Sequence, residues 1–185
     1  MIGSLRGRVI ELHASYALLE SAGVGYVVRL TPQSLSELVE NEERFLYIHD
    51  VVREDARELF GFLTRVELEL FERLLRVSGV GPKVALTILS AGSGESVRRA
   101  IMQGDLALLT SVPGVGTKTA QKIILELKGQ LVDDEGSSPG DGEVIEALMS
   151  LGYSSQAARS ALKSVPPSVT DVAERVRDAL KSLSK

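Results

Sequence analysis

The sequence predicts an α+β chain of small domains: a five-stranded β-barrel of the OB type, an all-helical domain, and a C-terminal three-helix bundle. Three observations carry this prediction. The first sixty or so residues alternate with the strand period of two and hold six of the eight aromatics, Tyr16, Tyr26, Phe45, Tyr47, Phe60 and Phe62. From Thr64 onward the apolar period becomes that of a helix. An acidic, Gly/Ser/Pro-rich stretch, Val132–Gly142, then separates two helical regions.

In chain order, Leu5–Leu12, Tyr16–Ser21, Gly25–Thr31, Arg44–Val52 and Arg57–Phe62 read as strands, with turns at Gly23-Val-Gly25 and Glu54-Asp55. Residues 32–39 fit one short helix opened by Pro32. Five strands with a helix between the third and fourth suit a small barrel, domain 1–63. Thr64 and Glu67 have capping-box spacing and open a helix through Leu75. Pro82–Ser90, Glu95–Met102, Asp105–Ser111 and Thr117–Leu131 complete a helical domain, 64–131, with Asp105 as an N-cap. Residues 132–142 read as a flexible linker whose r.m.s. reach is roughly 17 Å. Helices near Glu143–Leu151, Ser155–Ser164 and Val169–Leu183 form the last domain, 143–185, which is near the lower size limit for independent folding.

Composition excludes several classes of function. The chain has no cysteine, so it forms no disulfide and no thiolate metal site. His13 and His49 lack the spacing of a metal pair and read as strand histidines. No metal and no cofactor is expected. No apolar run reaches membrane-spanning length, and the N-terminal MIGSLRGRV lacks a signal-peptide core, so a cytoplasmic protein is expected. The net charge of −4 is unevenly spread: residues 1–62 are net −4, 63–130 net +3, 131–142 net −4 and 143–185 net +1. An acidic total conceals a basic middle.

That basic middle contains an internal repeat. Val77-Ser-Gly-Val-Gly-Pro-Lys-Val-Ala85 and Val112-Pro-Gly-Val-Gly-Thr-Lys-Thr-Ala120 share the pattern V-[SP]-G-V-G-x-K-x-A, and Gly114 follows Gly79 by 35 positions. Each copy joins two helical patterns. Glycine admits positive φ and close approach of a ligand to the backbone. The helix that follows presents unpaired N–H groups and the positive end of its dipole, where a phosphate fits. Gly79, Val80, Gly81 and Lys83 form the first such receptor, and Gly114, Val115, Gly116, Thr117 and Lys118 the second. Lys122 lies one turn past Lys118 on the same face. Gripping backbone at two places holds a duplex without reading its bases. Past Phe71 the only aromatic is Tyr153, so stacking platforms for unpaired bases are lacking. Arg98 and Arg99 read as a solvated face. Neither repeat is a Walker A loop, since Thr117 precedes Lys118 and Val112 occupies the first glycine position, so no ATP site is found.

The order of parts resembles the RuvA family, the Holliday-junction-binding subunits of bacterial branch-migration complexes. The likeness rests on the N-terminal M-I-G-x-L-x-G-x-V, the V-V-R-E-D-A-x-E-L-F-G-F hairpin, the paired helix-hairpin-helix motifs, the acidic linker and the C-terminal bundle, in that order. The resemblance implies a non-catalytic scaffold, tetrameric or octameric, that holds four-way junction DNA on a basic face. It implies the RuvB ATPase motor and the RuvC resolvase as partners, and no membrane. By resemblance, Glu54 and Asp55 are an acidic pin at the junction centre; read alone, they simply solvate a hairpin tip. Arg53 beside them either holds a phosphate or pairs with a local acid. Thr117 stands where many relatives have a second lysine, which weakens that contact. By resemblance the C-terminal segment is a UBA-like motor-docking bundle, with Leu148, Leu151 and Tyr153 as candidate contacts; the alternative places them in the bundle's own core.

Two other classes compete. A helix-hairpin-helix DNA glycosylase or lyase would use Lys118 as its lysine and Asp133 as its carboxylate, yet Asp133 lies in a polar acidic stretch with no pocket to orient it. A single-strand-binding OB protein needs a basic groove, whereas residues 1–62 are net acidic.

Overall fold

The computed structural model describes residues 1–135, 140–166, 169 and 171–183, with the backbone alone at 132–135, 155 and 156. It divides into two compact units, Met1–Val132 and Asp133–Lys185.

The first unit opens with β1 (Ser4–Leu12), β2 (Tyr16–Ser21) and β3 (Val24–Arg29), continues through the short helix α1 (Pro32–Ser36), and returns as β4 (Glu43–Val52) and β5 (Arg57–Phe62). The strands close a barrel in the order β1-β2-β3-β5-β4, the arrangement expected of an OB-type fold. Antiparallel pairs make up the barrel except at the seam, where Val28 and Arg29 of β3 run parallel to Leu59 and Phe60 of β5. Arg29 Nε donates to Glu58 Oε1 across that seam at 2.8 Å.

Two local details depart from the sequence reading. The β2–β3 turn is Ala22-Gly23, both at positive φ (50° and 80°), and Val24 and Gly25 already belong to β3. A two-residue turn with both centres at positive φ matches the strand twist, which a longer Gly-Val-Gly loop does not. Helix α1 ends at Ser36 rather than running to Val39, because the next amides bond three residues back, Glu37 N–H to Ser34 O and Leu38 N–H to Leu35 O, both at 3.2 Å.

Both faces of the β4–β5 ribbon are buried. Leu46, Ile48 and Leu59 point into the barrel core. The alternate residues Phe60 and Phe62 belong to the core of the helical domain, with Tyr47 and Val51 packed beside them. Gly61 marks how tightly the barrel side closes, since a Cβ there would stand 2.5 Å from Val28 Cγ1. This alternation follows from the pleat, which sends successive side chains to opposite faces.

The helical domain is α2 (Arg65–Arg76), α3 (Pro82–Leu89), α4 (Gly94–Gln103), α5 (Leu106–Ser111) and α6 (Thr117–Glu135). Thr64 and Glu67 form the expected capping box. Asp105 caps α5 by accepting from Leu108 N at 3.0 Å. Phe71 of α2 is fully buried and joins the two folds, its ring centroid 4.9 Å from Phe62, 5.4 Å from Phe60 and 5.3 Å from His49. His49 Nδ1 also lies 3.1 Å from Glu72 Oε1, so this strand histidine ties β4 to α2.

The second unit is a three-helix bundle of α7 (Asp141–Ser150), α8 (Ser155–Leu162) and α9 (Val172–Leu183) around Val144, Leu148, Ala158, Ala161 and Ala179. Helix overlaps both ends of the expected linker 132–142, whose residues 136–139 lie outside the described residues. Helix α6 continues past Leu131 because the first glycine after Gly129 is Gly136. Asp141 is 5% exposed rather than solvated, because Arg175 of α9 pairs with it. An acid expected to repel burial is thus recruited by a distant cation.

Candidate nucleic-acid interface

The two glycine turns are built alike. In the first, Val77 N–H donates to Leu74 O (3.1 Å), Val80 N–H to Val77 O (3.0 Å) and Ala85 N–H to Gly81 O (2.9 Å). In the second, Val112 N–H donates to Leu109 O (3.3 Å), Val115 N–H to Val112 O (3.0 Å) and Ala120 N–H to Gly116 O (2.9 Å). Gly79 and Gly114 take φ of 93° and 87°, which a side chain would strain. The sequence repeat is therefore a repeat of backbone geometry, α2–turn–α3 and α5–turn–α6.

Each turn has a buried side and an open side. Val80 and Val115, both 6% exposed, plug the core, as do Ala85 and Ala120. Their place corrects the expectation that the two valines touch phosphate, because their side chains are buried and their amides already bond within the turn. They hold the turn in shape. Gly79, Gly81, Gly114 and Gly116 are exposed, with open space where a Cβ would stand at Gly79, Gly81 and Gly116.

The donors available to a ligand follow from helix geometry. The ladder of α3 begins with Ala85, so the amides of Lys83 and Val84 precede it, while Pro82 has none to offer. In α6 the ladder begins with Ala120, leaving those of Thr117, Lys118 and Thr119. The second turn thus offers one more amide and the Thr117 hydroxyl, which offsets the lysine expected there.

Lys83, Lys118 and Lys122 are all exposed, and none has an ion-pair partner among the described residues. Other cations of the same unit are engaged: Arg65 with Glu69 at 3.0 Å, Arg99 with Glu95 at 3.7 Å, and Arg98 with Leu131 O at 2.9 Å. Unpaired positive charge therefore stands at both turns, the geometry of an anion receptor, although Lys128 further along α6 and Arg53 on the barrel ribbon are exposed and unpaired as well among the described residues. Arg76, the last residue of α2, shares this condition, and the sequence reading missed it. Comparing the two repeats upstream of their glycines would have found it, since Ser111 occupies the matching place.

Glu54 and Asp55 stand exposed at the tip of the β4–β5 ribbon, in a turn closed by Arg53 N–H donating to Ala56 O at 2.8 Å. The Arg53 side chain is exposed and pairs with no local acid among the described residues. Below the tip, Arg57 donates to both oxygens of Asp50 (Nε to Oδ1 at 3.0 Å, Nη2 to Oδ2 at 2.8 Å), and Ile2 N–H donates to Oδ2 at 2.8 Å. The Arg57 bonds outweigh burial and, with the Ile2 amide, hold the Asp50 carboxyl at about 2, below its ordinary 3.8. A lowered folded-state value means that the strap contributes fully above about pH 4 and is lost as pH falls toward 2.

In the C-terminal bundle the three candidate contacts separate. Leu148 is fully buried in the bundle core, which corrects its assignment as a docking residue. Leu151 is 60% exposed and Tyr153 half-buried. Met149, 48% exposed, joins them as a residue the sequence reading missed, although its place one residue after a core leucine signals an outward face. Among the described residues no cluster of His, Cys, Asp or Glu could hold a metal ion, and no helix is long and apolar enough to cross a membrane.

Three family models tile the chain: RuvA N terminal domain over residues 1–61, SAM-like Helix-hairpin-helix tandem over 71–128, and RuvA, C-terminal domain over 142–184. Among curated relatives, the Holliday junction branch migration complex subunit RuvA of Polynucleobacter asymbioticus is 42% identical, with all of both chains covered. The protein of that name from Laribacter hongkongensis is 43% identical, again over the whole of both chains. The one from Chloroflexus aurantiacus is 41% identical, covering 98% of this chain and 97% of its own. With its barrel, tandem hairpins and C-terminal bundle matched end to end, this chain belongs to the RuvA family.

Proposed function

We propose that this chain binds four-way DNA junctions by structure rather than sequence, as an oligomeric, cytoplasmic and non-catalytic scaffold that recruits the RuvB ATPase for branch migration. The observation that carries the reading is the pair of matched turns, each with exposed amides and unpaired lysines and each fixed from behind by a buried valine. Such receptors recognise phosphate and ignore base identity. Gly79, Gly81 and Lys83 hold one stretch of backbone, and Gly114, Gly116, Thr117, Lys118 and Lys122 another. A tetramer, or an octamer of two tetramers, repeats these grips on each arm of the junction, with RuvC as a further partner of the assembled complex.

Glu54 and Asp55 act as a pin at the centre. Between converging strands, each carboxylate–phosphate pair at about 7 Å and an effective dielectric of about 40 repels by roughly 1 kcal/mol. Repeated around a tetramer, that repulsion disfavours a continuous duplex and admits an open crossover. The Asp50–Arg57 strap keeps the pin upright. In the C-terminal bundle, Met149, Leu151 and Tyr153 supply the apolar surface for the motor, while Leu148 supports them from inside. Lys118 stands on an open surface rather than in a pocket that encloses a flipped base, which disfavours the glycosylase reading.

Competition between a four-way junction and linear duplex of equal length tests this function. The junction is expected to win strongly, and Glu54→Gln with Asp55→Asn is expected to narrow the preference by improving duplex binding. Equal affinity of the unaltered protein for both would defeat the proposal.

A further inference from the structure

We infer that the N-terminus of the chain aims the acidic pin, with Ile2 and Gly3, acting on β4 and on Asp50, as positioning residues for junction selectivity. The inference rests on the pin role proposed for Glu54 and Asp55 and deepens it by naming what holds the pin in place.

The pin stands on a ribbon that leaves the barrel. β1 pairs with β4 only as far as Ser4 opposite Tyr47, and β3 pairs with β5 only at Leu59 and Phe60. Beyond those rows Val51 faces Glu58 and Val52 faces Arg57, and no third strand joins them among the described residues. A two-stranded ribbon alone is marginally stable in water. Asp50 and Arg57 clasp each other across it, but both belong to the ribbon, so their bonds stiffen it without fixing its direction.

Direction comes from contacts with parts outside the ribbon. On one face Val51 packs against the helical core. At the β5 edge Arg29 of β3 holds Glu58 at 2.8 Å. At the β4 edge the residues before β1 take over where its pairing ends. Ile48 N–H donates to Gly3 O at 2.9 Å, and Ile2 N–H donates to Asp50 Oδ2 at 2.8 Å. Ile2 is anchored in turn, its half-buried side chain packing against the barrel core. Without this tether the β4 edge is released, and the ribbon can swing about its remaining supports.

Burial makes the tether demanding. The Asp50 side chain is 0% exposed, although its partner Arg57 is 53% exposed. A shielded carboxylate needs its donors, and losing one leaves charge without compensation. Arg57 moves with the ribbon, whereas the Ile2 amide is backbone fixed to the barrel, so it is the donor that sets the ribbon's position. The consequence for function is geometric. Repulsion between carboxylate and phosphate falls as they separate, so a pin free to lean away from a continuous duplex no longer penalises it. Junction binding, carried by the glycine turns, is left as it was.

Equilibrium binding of the full-length chain to a four-way junction and to linear duplex, alongside thermal melts, tests the inference. Asp50→Asn removes the charge and keeps the shape, while a chain shortened to begin at Ser4 removes the Ile2 amide and the Gly3 carbonyl. Each is expected to tighten duplex binding about fivefold, the size of one carboxylate–phosphate repulsion, and to leave junction affinity unchanged. Because both act through the pin, neither is expected to add anything in a Glu54→Gln, Asp55→Asn background. Should the shortened chain fail to fold, Asp50→Asn decides alone. A lowered melting temperature with an unchanged junction preference would overturn the inference, since that is the mark of a bond that only stabilises the fold. So would an effect that persists in full once the pin is neutralised. If neutralising the pin in the otherwise unaltered chain left the preference intact, the pin role itself would fail, a result distinct from failure of the brace alone.

Discussion

Changing Lys83 and Lys118 together to Ala is expected to weaken binding to DNA of every sequence and to reduce the slope of log K against log salt by about 1.8, the release of counterions from two phosphates. Both lysines are exposed and unpaired, so their removal strands no buried partner. The turns themselves are held by Val80 and Val115 inside the core, so thermal stability should stay where it was. Loss of binding without loss of folding separates a ligand-contacting role from a structural one. Isothermal titrations at a series of salt concentrations, alongside thermal melts, measure both quantities. An unchanged slope would place the phosphate contacts elsewhere on the molecule.

The second large effect falls on the fold. Phe71→Ala removes a fully buried ring that touches Phe60, Phe62 and His49, so it opens a cavity where the barrel ribbon meets the helical domain. Such truncations cost about 3–5 kcal/mol, which for a unit of this size lowers the melting temperature by roughly 10–20 °C. Since β5 contributes Leu59 to one core and Phe60 and Phe62 to the other, barrel and hairpins should unfold together. Calorimetry is expected to show their loss as one transition, displaced as a whole. A barrel melting at its original temperature while the helices melt early would contradict the shared ribbon. The same sharing bears on function, because the ribbon that carries Glu54 and Asp55 is packed directly against the domain that carries the glycine turns.

Much of this architecture was legible in the sequence because its signals are local. Alternation marked the five strands, the Thr64–Glu67 spacing marked a helix start, and the 35-residue echo marked the paired turns before any geometry was known. The misread positions are those decided by distant partners. Asp141 looks like linker until Arg175, far along the chain, draws it into a buried pair. Leu148 and Leu151 are the same residue type in one segment, and only the packing of α8 and α9 tells which is core and which is surface. Val80 and Val115 sit inside the most ligand-like motif of the chain, yet the turn directs them inward and spends their amides. Arg76 escaped notice because it precedes the motif, and its exposure without an ion-pair partner is a property of the fold rather than of the local sequence.

The central claim is that exposed amides and lysines at the two glycine turns receive DNA phosphate. Backbone amide NMR of the protein titrated with a four-way junction tests it most directly. The largest shifts are expected at Gly81, Lys83, Gly116, Thr117 and Lys118, with those of Val80 and Val115, already bonded within their turns, moving less. Shifts concentrated on the barrel, with both turns silent at saturation, would contradict the account.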